Sequence, residues 1–204
     1  MEKLITRAPV TFGCDPELFF TNGKGKVVGA ERVLPENGVL SVCSYYGANT
    51  KAFVLDGVQV ELNPRPQSCR ATLGNEIAAS FRALKDHLAK MQDVKACFDA
   101  VVRVDKAELD RLSEKSKQLG CKPSINGYDP KARVRASAAK SRKRSAAGHI
   151  HLGLPANMLP HRERLYPILD MLVGNTCVMI DRDLNAAERR KNYGRAGEYR
   201  LPVY

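Results

Sequence analysis

Residues 53–62 read FVLDGVQVEL, and this stretch decides the fold because two apolar runs flank the pair Asp56-Gly57. An Asp-Gly pair in this position is typical of an antiparallel hairpin, since it supplies the positive φ angles of a two-residue turn. Prolines at positions 64 and 66 end the second strand. Because side chains alternate across a strand, the second strand has an apolar and a polar face, formed by Val58, Val60 and Leu62 and by Gln59, Glu61 and Asn63.

Two other segments show the same alternation of apolar and polar side chains. In the predicted strand 10–20, Asp15 and Glu17 share one face, and in the predicted strand 147–154, His149 and His151 share one face. A sheet face in contact with water usually carries Lys, Thr, Ser and Arg, whereas these faces carry acids and imidazoles. We therefore expect the three polar faces to meet in one site.

The rest of the chain alternates between helical and extended patterns. Apolar residues at helical spacing from Leu73 to Met91 predict a structural helix. The remaining predicted elements are a strand at 26–30, a strand at 94–104, a helix from Asp105 to Gly120, a long basic mobile loop at about 122–146, a helix at 162–173 and a strand at 177–181. Together they predict an α+β fold in a single domain that spans residues 1–204.

Composition excludes several classes of protein. Hydrophobic residues make up 44% and charged residues 27% of the 204 residues, which is the usual balance of a globular protein rather than of a disordered chain. No apolar stretch approaches the ~20 residues of a membrane-spanning helix, and residues 1–10 lack the apolar core of a secretion signal. We expect a cytoplasmic protein. The cysteines form no CxxC pair, which argues against a disulfide framework or a thiolate zinc site.

The net charge of +11 predicts a polyanionic partner, either a nucleic acid or nucleotide phosphates. Basic residues concentrate between Lys131 and Arg144 and again near the end of the chain. The second cluster consists of Arg182, Arg189, Arg190, Lys191, Arg195 and Arg200. Aromatic residues make up 6% and tryptophan is absent, so a base-stacking platform for single strands is disfavoured. A basic protein that binds nucleic acid is one alternative function.

Carboxylates from different strands together with imidazoles are suited to a divalent metal ion. Oxygen ligands favour magnesium, which keeps several waters and engages substrate phosphates. The alternative metal is zinc in a hydrolase, with His149 and His151 as nitrogen ligands and Glu61 or Glu17 as third ligand or general base. By contrast, Asp56 is interpreted as a turn residue, and Asp15 as a residue that orients the backbone before Pro16.

Five segments resemble, in order, the motifs of phage-type carboxylate-amine ligases, which belong to the glutamine synthetase and glutamate-cysteine ligase superfamily. They are residues 13–17 (GCDPE), 56–61 (DGVQVE), 120–126 (GCKPSIN), 148–153 (GHIHLG) and 193–200 (YGRAGEYR). The resemblance implies a curved, mainly antiparallel sheet with helices packed on its outer face. It also implies ATP- and magnesium-dependent formation of an amide or isopeptide bond through an acyl phosphate.

The resemblance also implies roles for individual residues. The implied metal ligands are Glu17, Glu61 and His149. The implied catalytic residues are Glu61, His149, His151, Arg195 and Arg200, and the implied nucleotide-binding residues are His151, Arg189, Arg195 and Arg200. The arginines would neutralise phosphate charge, because the planar guanidinium binds phosphate oxygens in pairs. The other partners are an unidentified carboxylate and an unidentified amine, with peptides and proteins among the candidates.

One departure from the family pattern concerns the C-terminus. In the family, a strand with a Gly-x-Glu-x-Arg-like motif follows the segment that resembles residues 193–200, and the sequence ends at Tyr204. We therefore expect the C-terminal part of the family fold to be absent. Three alternatives follow. The chain is a fragment or processed product, or a second chain or another copy completes its sheet, or it is a phage protein in the host cytoplasm that binds without catalysing.

Overall fold

The computed structural model describes residues 10–34, 53–118, 124–129, 131, 141–192 and 194–201, which form a mixed α and β structure with several antiparallel sheets. The strands are β1 (Thr11–Cys14), β2 (Glu17–Asn22), β3 (Val27–Val28), β4 (Phe53–Asp56), β5 (Gln59–Leu62), β6 (Val94–Cys97), β7 (Val101–Arg103), β8 (Ile125–Asn126), β9 (Lys143–Ser145), β10 (Ile150–Gly153) and β11 (Glu198–Tyr199). The helices are α1 (Arg70–Leu88), α2 (Lys106–Arg111), α3 (Glu114–Lys117), α4 (Leu165–Leu169), α5 (Asn175–Ile180) and α6 (Ala186–Asn192).

The predicted hairpin is confirmed as β4 and β5, but its turn lies one residue later than the Asp-Gly pair suggested. Asp56 pairs with Gln59, so the two loop residues are Gly57 and Val58. Gly57 has a φ of 64°, the positive angle that a type II′ turn requires at its first loop position. Asp56 is therefore the last residue of β4. Val58 lies in the turn and not on the apolar face of β5, where side-chain alternation had placed it.

Strand β2 lies at the centre of the described structure and is buried on both faces. Leu18 and Phe20 belong to a core cluster with Val60, Leu62 and the α1 residue Leu84. Phe19 points the other way, into a second cluster of apolar residues. All three β2 residues of this run are 0% exposed, and burial of each stabilises the fold by about 1.5–3 kcal/mol. The strand thus fixes the position of Glu17 at its start.

The predicted strand 10–20 is two strands, because the chain breaks its extended course at Asp15 and Pro16. Proline has no N–H group and restricts the residue before it, which explains the break. Strand β10 pairs with β1 and places Gly13 opposite His151. The Glu17 amide then donates to the carbonyl oxygen of Ala147, 2.9 Å away. The residues between these two contacts, including His149, therefore lie alongside the break in the extended chain, next to Asp15.

Several other predictions were wrong in part. The strand at 26–30 shortens to β3, and the strand at 94–104 divides into β6 and β7. The helix that begins after Asp105 ends at Arg111 and resumes as α3, while Gly120 lies outside the described residues. Within the predicted strand 177–181, residues 177–180 are helical and not extended, because α4 continues through a π-helical turn (Asp170–Gly174) into α5. A short apolar run does not distinguish strand from helix by its period.

Part of the predicted basic loop forms a strand. Residues 121–123, 130 and 132–140 lie outside the described residues, but Lys143–Ser145 form β9 against β7. Arg144 is only 4% exposed, and its guanidinium donates to the carbonyl oxygens of Ser141, Lys143 and Lys117. Arg144 is therefore a structural residue and not a surface contact for a polyanion.

The segment that carries Arg200 is held by the helical region 165–180. Strand β11 pairs with β8, and the rings of Tyr166 and Tyr199 stack with centroids 4.4 Å apart. The Tyr128 hydroxyl donates to the Asp170 carboxylate at 2.6 Å. Among the helices that the structure describes, none has the length and apolar character needed to cross a membrane.

The turn at Gly57 provides the first prediction, tested by urea denaturation. A Cβ atom at this position would lie 2.7 Å from the carbonyl oxygen of Gln118, whereas one at Gly25, which has a similar φ of 72°, would meet nothing within 4 Å. We expect Gly25→Ala to cost about 1–2 kcal/mol of unfolding free energy from backbone strain alone. Gly57→Ala should cost about 1–3 kcal/mol more, because the Cβ also collides with a backbone atom. Equal losses in the two variants would contradict this account.

Candidate functional site

Three carboxylates meet where β4, β5 and β2 lie side by side. Glu17 and Glu61 are direct partners in the β2–β5 register, and Val54 faces Glu61 from β4. Asp56, two residues beyond Val54, lies on the same face of β4. Each of Glu17, Asp56 and Glu61 offers an oxygen atom, and these atoms all lie within 4.8 Å of one another. We call these three side chains the carboxylate cluster.

The carboxylate cluster concentrates negative charge in a partly buried position. Burial, followed by the charges of Asp15, Asp56 and Glu17, raises the pKa of Glu61 to about 7. Burial also raises the pKa of Glu17, although its carboxylate accepts a hydrogen bond from the Ala147 amide at 2.8 Å. Like charges at this distance disfavour simultaneous ionisation. A bound cation would relieve the repulsion, so the cluster fits a divalent metal ion.

Asp15 holds both histidines of the HxH segment. It is 8% exposed, and His151 Nε2 lies 2.9 Å from its Oδ2 atom. His149 Nδ1 lies 3.1 Å from each Asp15 oxygen, and the His149 amide also donates to Oδ1. Each ring therefore meets Asp15 through a different nitrogen, Nδ1 in His149 and Nε2 in His151. A carboxylate behind an imidazole orients the ring in this way in many metal sites.

Charge interactions connect the Asp15–histidine group with the carboxylate cluster. Burial raises the pKa of Asp15, but hydrogen bonds from His149 and His151 outweigh burial and hold it well below its ordinary value. The hydrogen bond to Asp15 raises the pKa of His151, and the charge of Glu61 adds to that effect. His149 is close enough to all three clustered carboxyls to oppose the rise of their pKa values. The two groups therefore form one site.

The three predicted arginines lie in different surroundings. Arg200 is close enough to Asp56 to oppose the rise that burial causes in the pKa of that carboxyl. Arg195 instead pairs with Glu198, with 3.1 Å between Nε and Oε1. Arg189 lines a cleft that also contains Glu17. The structure thus brings Arg200 to the carboxylate cluster and Arg189 to a neighbouring cleft, while Arg195 is engaged within its own turn.

Sequence reasoning identified part of this site and missed two residues. The structure brings together Glu17 and Glu61, as expected from their strand faces. It also places His149, just before β10, and His151, on β10, against Asp15. His149 does not belong to the group of donor atoms within 4.8 Å among the described residues. Asp56 and Asp15 were interpreted as backbone residues and prove to be central. The GCDPE and DGVQVE segments already contained both aspartates, but only the register shows where they point.

Comparisons with protein-family models, with curated proteins and with solved structures gave no match for this chain. The interpretation of the site therefore depends on its own geometry and chemistry.

The second prediction concerns Asp15→Asn. The amide has no negative charge, so the pKa of His151 should fall towards its ordinary value of 6.5. Protonated His151 stabilises the wild-type fold fully below that value, and the stabilisation is lost as pH rises through the higher folded pKa. NMR titration of the imidazole signals measures the change. An unchanged His151 titration would contradict the assigned hydrogen bond.

Proposed function

We propose that this protein is a magnesium- and ATP-dependent carboxylate-amine ligase that forms an amide or isopeptide bond. The observation that carries the proposal is the carboxylate cluster, in which Glu17, Asp56 and Glu61 offer oxygen atoms within 4.8 Å of one another. The adjoining Asp15–histidine pair and Arg200 add groups that bind phosphate. The resemblance of the GCDPE, DGVQVE and GHIHLG segments to ligase motifs supports the same chemistry.

The donor set favours magnesium over zinc. All three clustered donors are carboxylate oxygens, which are the preferred ligands of hard cations. The histidines lie against Asp15 rather than within the cluster, so a nitrogen-rich zinc site of the kind that a hydrolase uses has less support. We propose that Glu17, Asp56 and Glu61 hold magnesium and that His149 and His151 face the phosphates.

The proposed reaction has two steps. The γ-phosphoryl group of ATP moves to the substrate carboxylate, which gives an acyl phosphate and ADP. An amine then attacks the acyl carbon, the C–O bond to phosphate breaks, and the nitrogen loses a proton as the amide forms. A magnesium ion would neutralise the phosphate charge that builds up in the first step. Arg200 would orient the phosphate oxygens, together with His149 and His151, whose rings Asp15 holds in place.

The proposal extends to the fold and its surroundings. We propose that β4, β5, β2, β1 and β10 belong to a curved, glutamine synthetase-like sheet whose concave face carries the carboxylate cluster. The strand orders β4–β5–β2 and β1–β10 support this arrangement, since β1 leads directly into β2. The proposal places the protein in the cytoplasm, where ATP and magnesium are available.

The third prediction tests the cation site through Glu61→Gln. The variant keeps the shape of the side chain but removes one anionic ligand, so affinity for magnesium-ATP should fall about tenfold or more. Isothermal titration calorimetry with magnesium-ATP measures the loss. Glu114→Gln is the matched control, because this side chain is 86% exposed on α3, where it pairs with Lys117. Retention of wild-type affinity in Glu61→Gln, with magnesium present, would refute the proposed site.

The fourth prediction is a pH dependence of magnesium binding. The pKa of Glu61 is raised to about 7, and a protonated carboxyl is a poor ligand for the cation. Magnesium affinity should therefore increase from about pH 6 to about pH 8, with a proton released on binding. Calorimetry in two buffers of different ionisation enthalpy measures that proton. Affinity that is flat over this range would show that Glu61 is not a ligand.

A further inference from the structure

A cleft of about 280 Å³ opens beside the carboxylate cluster and shares Glu17 with it. We call it the Arg189 cleft. It lies between the start of β2, helix α1, the β6–β7 connection and helix α6. The side chains that give the cleft its chemical character are Glu17, Phe81, Phe98, Asp181, Asp183 and Arg189.

The apolar wall of the cleft is aromatic. The rings of Phe81 and Phe98 lie with centroids 6.1 Å apart at an interplanar angle of 46°. Phe98 is 65% exposed, although a side chain of this size is ordinarily buried. An aromatic ring exposed at a cleft offers a large contact area to an apolar group of a ligand.

The polar wall contains both signs of charge. Asp181 and Asp183 are held by backbone amides: Oδ1 of Asp181 accepts from Asp183 at 3.0 Å, and Oδ1 of Asp183 accepts from Asn185 at 2.7 Å. Oδ2 of Asp183 also accepts from the Ala100 amide. In the part of the chain that the structure describes, Arg189 forms no ion pair, whereas Arg190 on the same helix pairs with Asp181. Arg189 thus lines the same cleft as two carboxylates that backbone amides hold in place.

Size and charge together restrict the ligand. Pockets for drug-sized ligands begin at roughly 300 Å³, so a volume of about 280 Å³ corresponds to one small molecule. Because Asp181 already pairs with Arg190, Asp183 is the acid that remains for a ligand cation. A ligand that matches the cleft needs a carboxylate for Arg189, an ammonium group for Asp183 and an apolar group for the phenylalanines. An α-amino acid with an apolar side chain meets all three requirements.

We propose that the Arg189 cleft binds a free α-amino acid with an apolar side chain. Its role as the amine substrate rests on the proposed ligase function. In that role the amino group, after it loses a proton, attacks the acyl phosphate formed beside Glu17, and phosphate leaves as the new C–N bond forms. The shared Glu17 accounts for the proximity of the amino acid to the proposed magnesium ion.

Calorimetry with the full chain, without ATP or magnesium, tests the cleft. The probes are L-phenylalanine, phenethylamine, which lacks the carboxylate, and 3-phenylpropanoate, which lacks the amino group. We expect L-phenylalanine to bind and each analogue to bind about tenfold or more weakly, since each loses a charge-assisted hydrogen bond. Failure of L-phenylalanine to bind at millimolar concentration, or equal binding of either analogue, overturns the proposal.

Two variants locate the binding. Arg189→Gln should weaken L-phenylalanine about tenfold or more and leave the weak affinity for phenethylamine unchanged, because only the carboxylate contact is lost. Lys191→Gln, the control, removes the same charge from the same helix at an exposed position outside the cleft. Phe98→Ala should weaken L-phenylalanine but not glycine. Wild-type affinity in Arg189→Gln, with circular dichroism that confirms folding, overturns the assignment.

The outcomes separate this inference from the ligase proposal. The amino-acid titration contains neither nucleotide nor metal, so its failure leaves magnesium-ATP binding at the carboxylate cluster untouched. Conversely, if the Glu61→Gln experiment refutes the ligase proposal, binding of L-phenylalanine would still identify the Arg189 cleft as an amino-acid site.

Discussion

The antiparallel pairing of β2 with β5 is the constraint on which the rest of the structure depends. It places Glu17 directly opposite Glu61 and, on the other face of the same strands, Leu18 opposite Val60 within the apolar core. A register shift of one residue would carry Glu61 into that core and expose Val60 and Leu62. The burial of the apolar face therefore fixes the position of the acids, and the site is built into the packing of the sheet.

The carboxylate cluster is electrostatically unfavourable by itself, and its neighbours show how the fold tolerates it. Burial, followed by the charges of neighbouring carboxylates, raises the pKa values of Glu17, Asp56 and Glu61. Asp15, close by, is stabilised as an anion because two imidazoles and a backbone amide face it. The fold thus keeps one acid paired and leaves three with raised pKa values, a contrast that is common where proteins bind cations or transfer protons.

The sequence predicted those elements in which local pattern and tertiary packing agree. The β4–β5 hairpin and helix α1 follow from turn chemistry and apolar spacing, and both are present. Prediction failed where a pattern was compatible with two structures. The sequence predicts a strand at 177–181, whereas residues 177–180 belong to helix α5, since a run of four apolar residues fits either structure. The pairing of Asp56 with Gln59 places Gly57 first in the loop and Asp56 at the end of β4. Only the folded strands define that pairing.

By itself, the sequence determined which residue types could form the site: two glutamates and two histidines on the polar faces of strands, because side-chain alternation follows from backbone geometry. It also determined the mixed α and β character of the chain. Only the tertiary structure decided that Asp56 joins the glutamates, that Asp15 binds both histidines and that Arg189 and Arg195 lie in separate surroundings. These outcomes depend on strand register and on contacts between residues far apart in sequence, which no local pattern encodes.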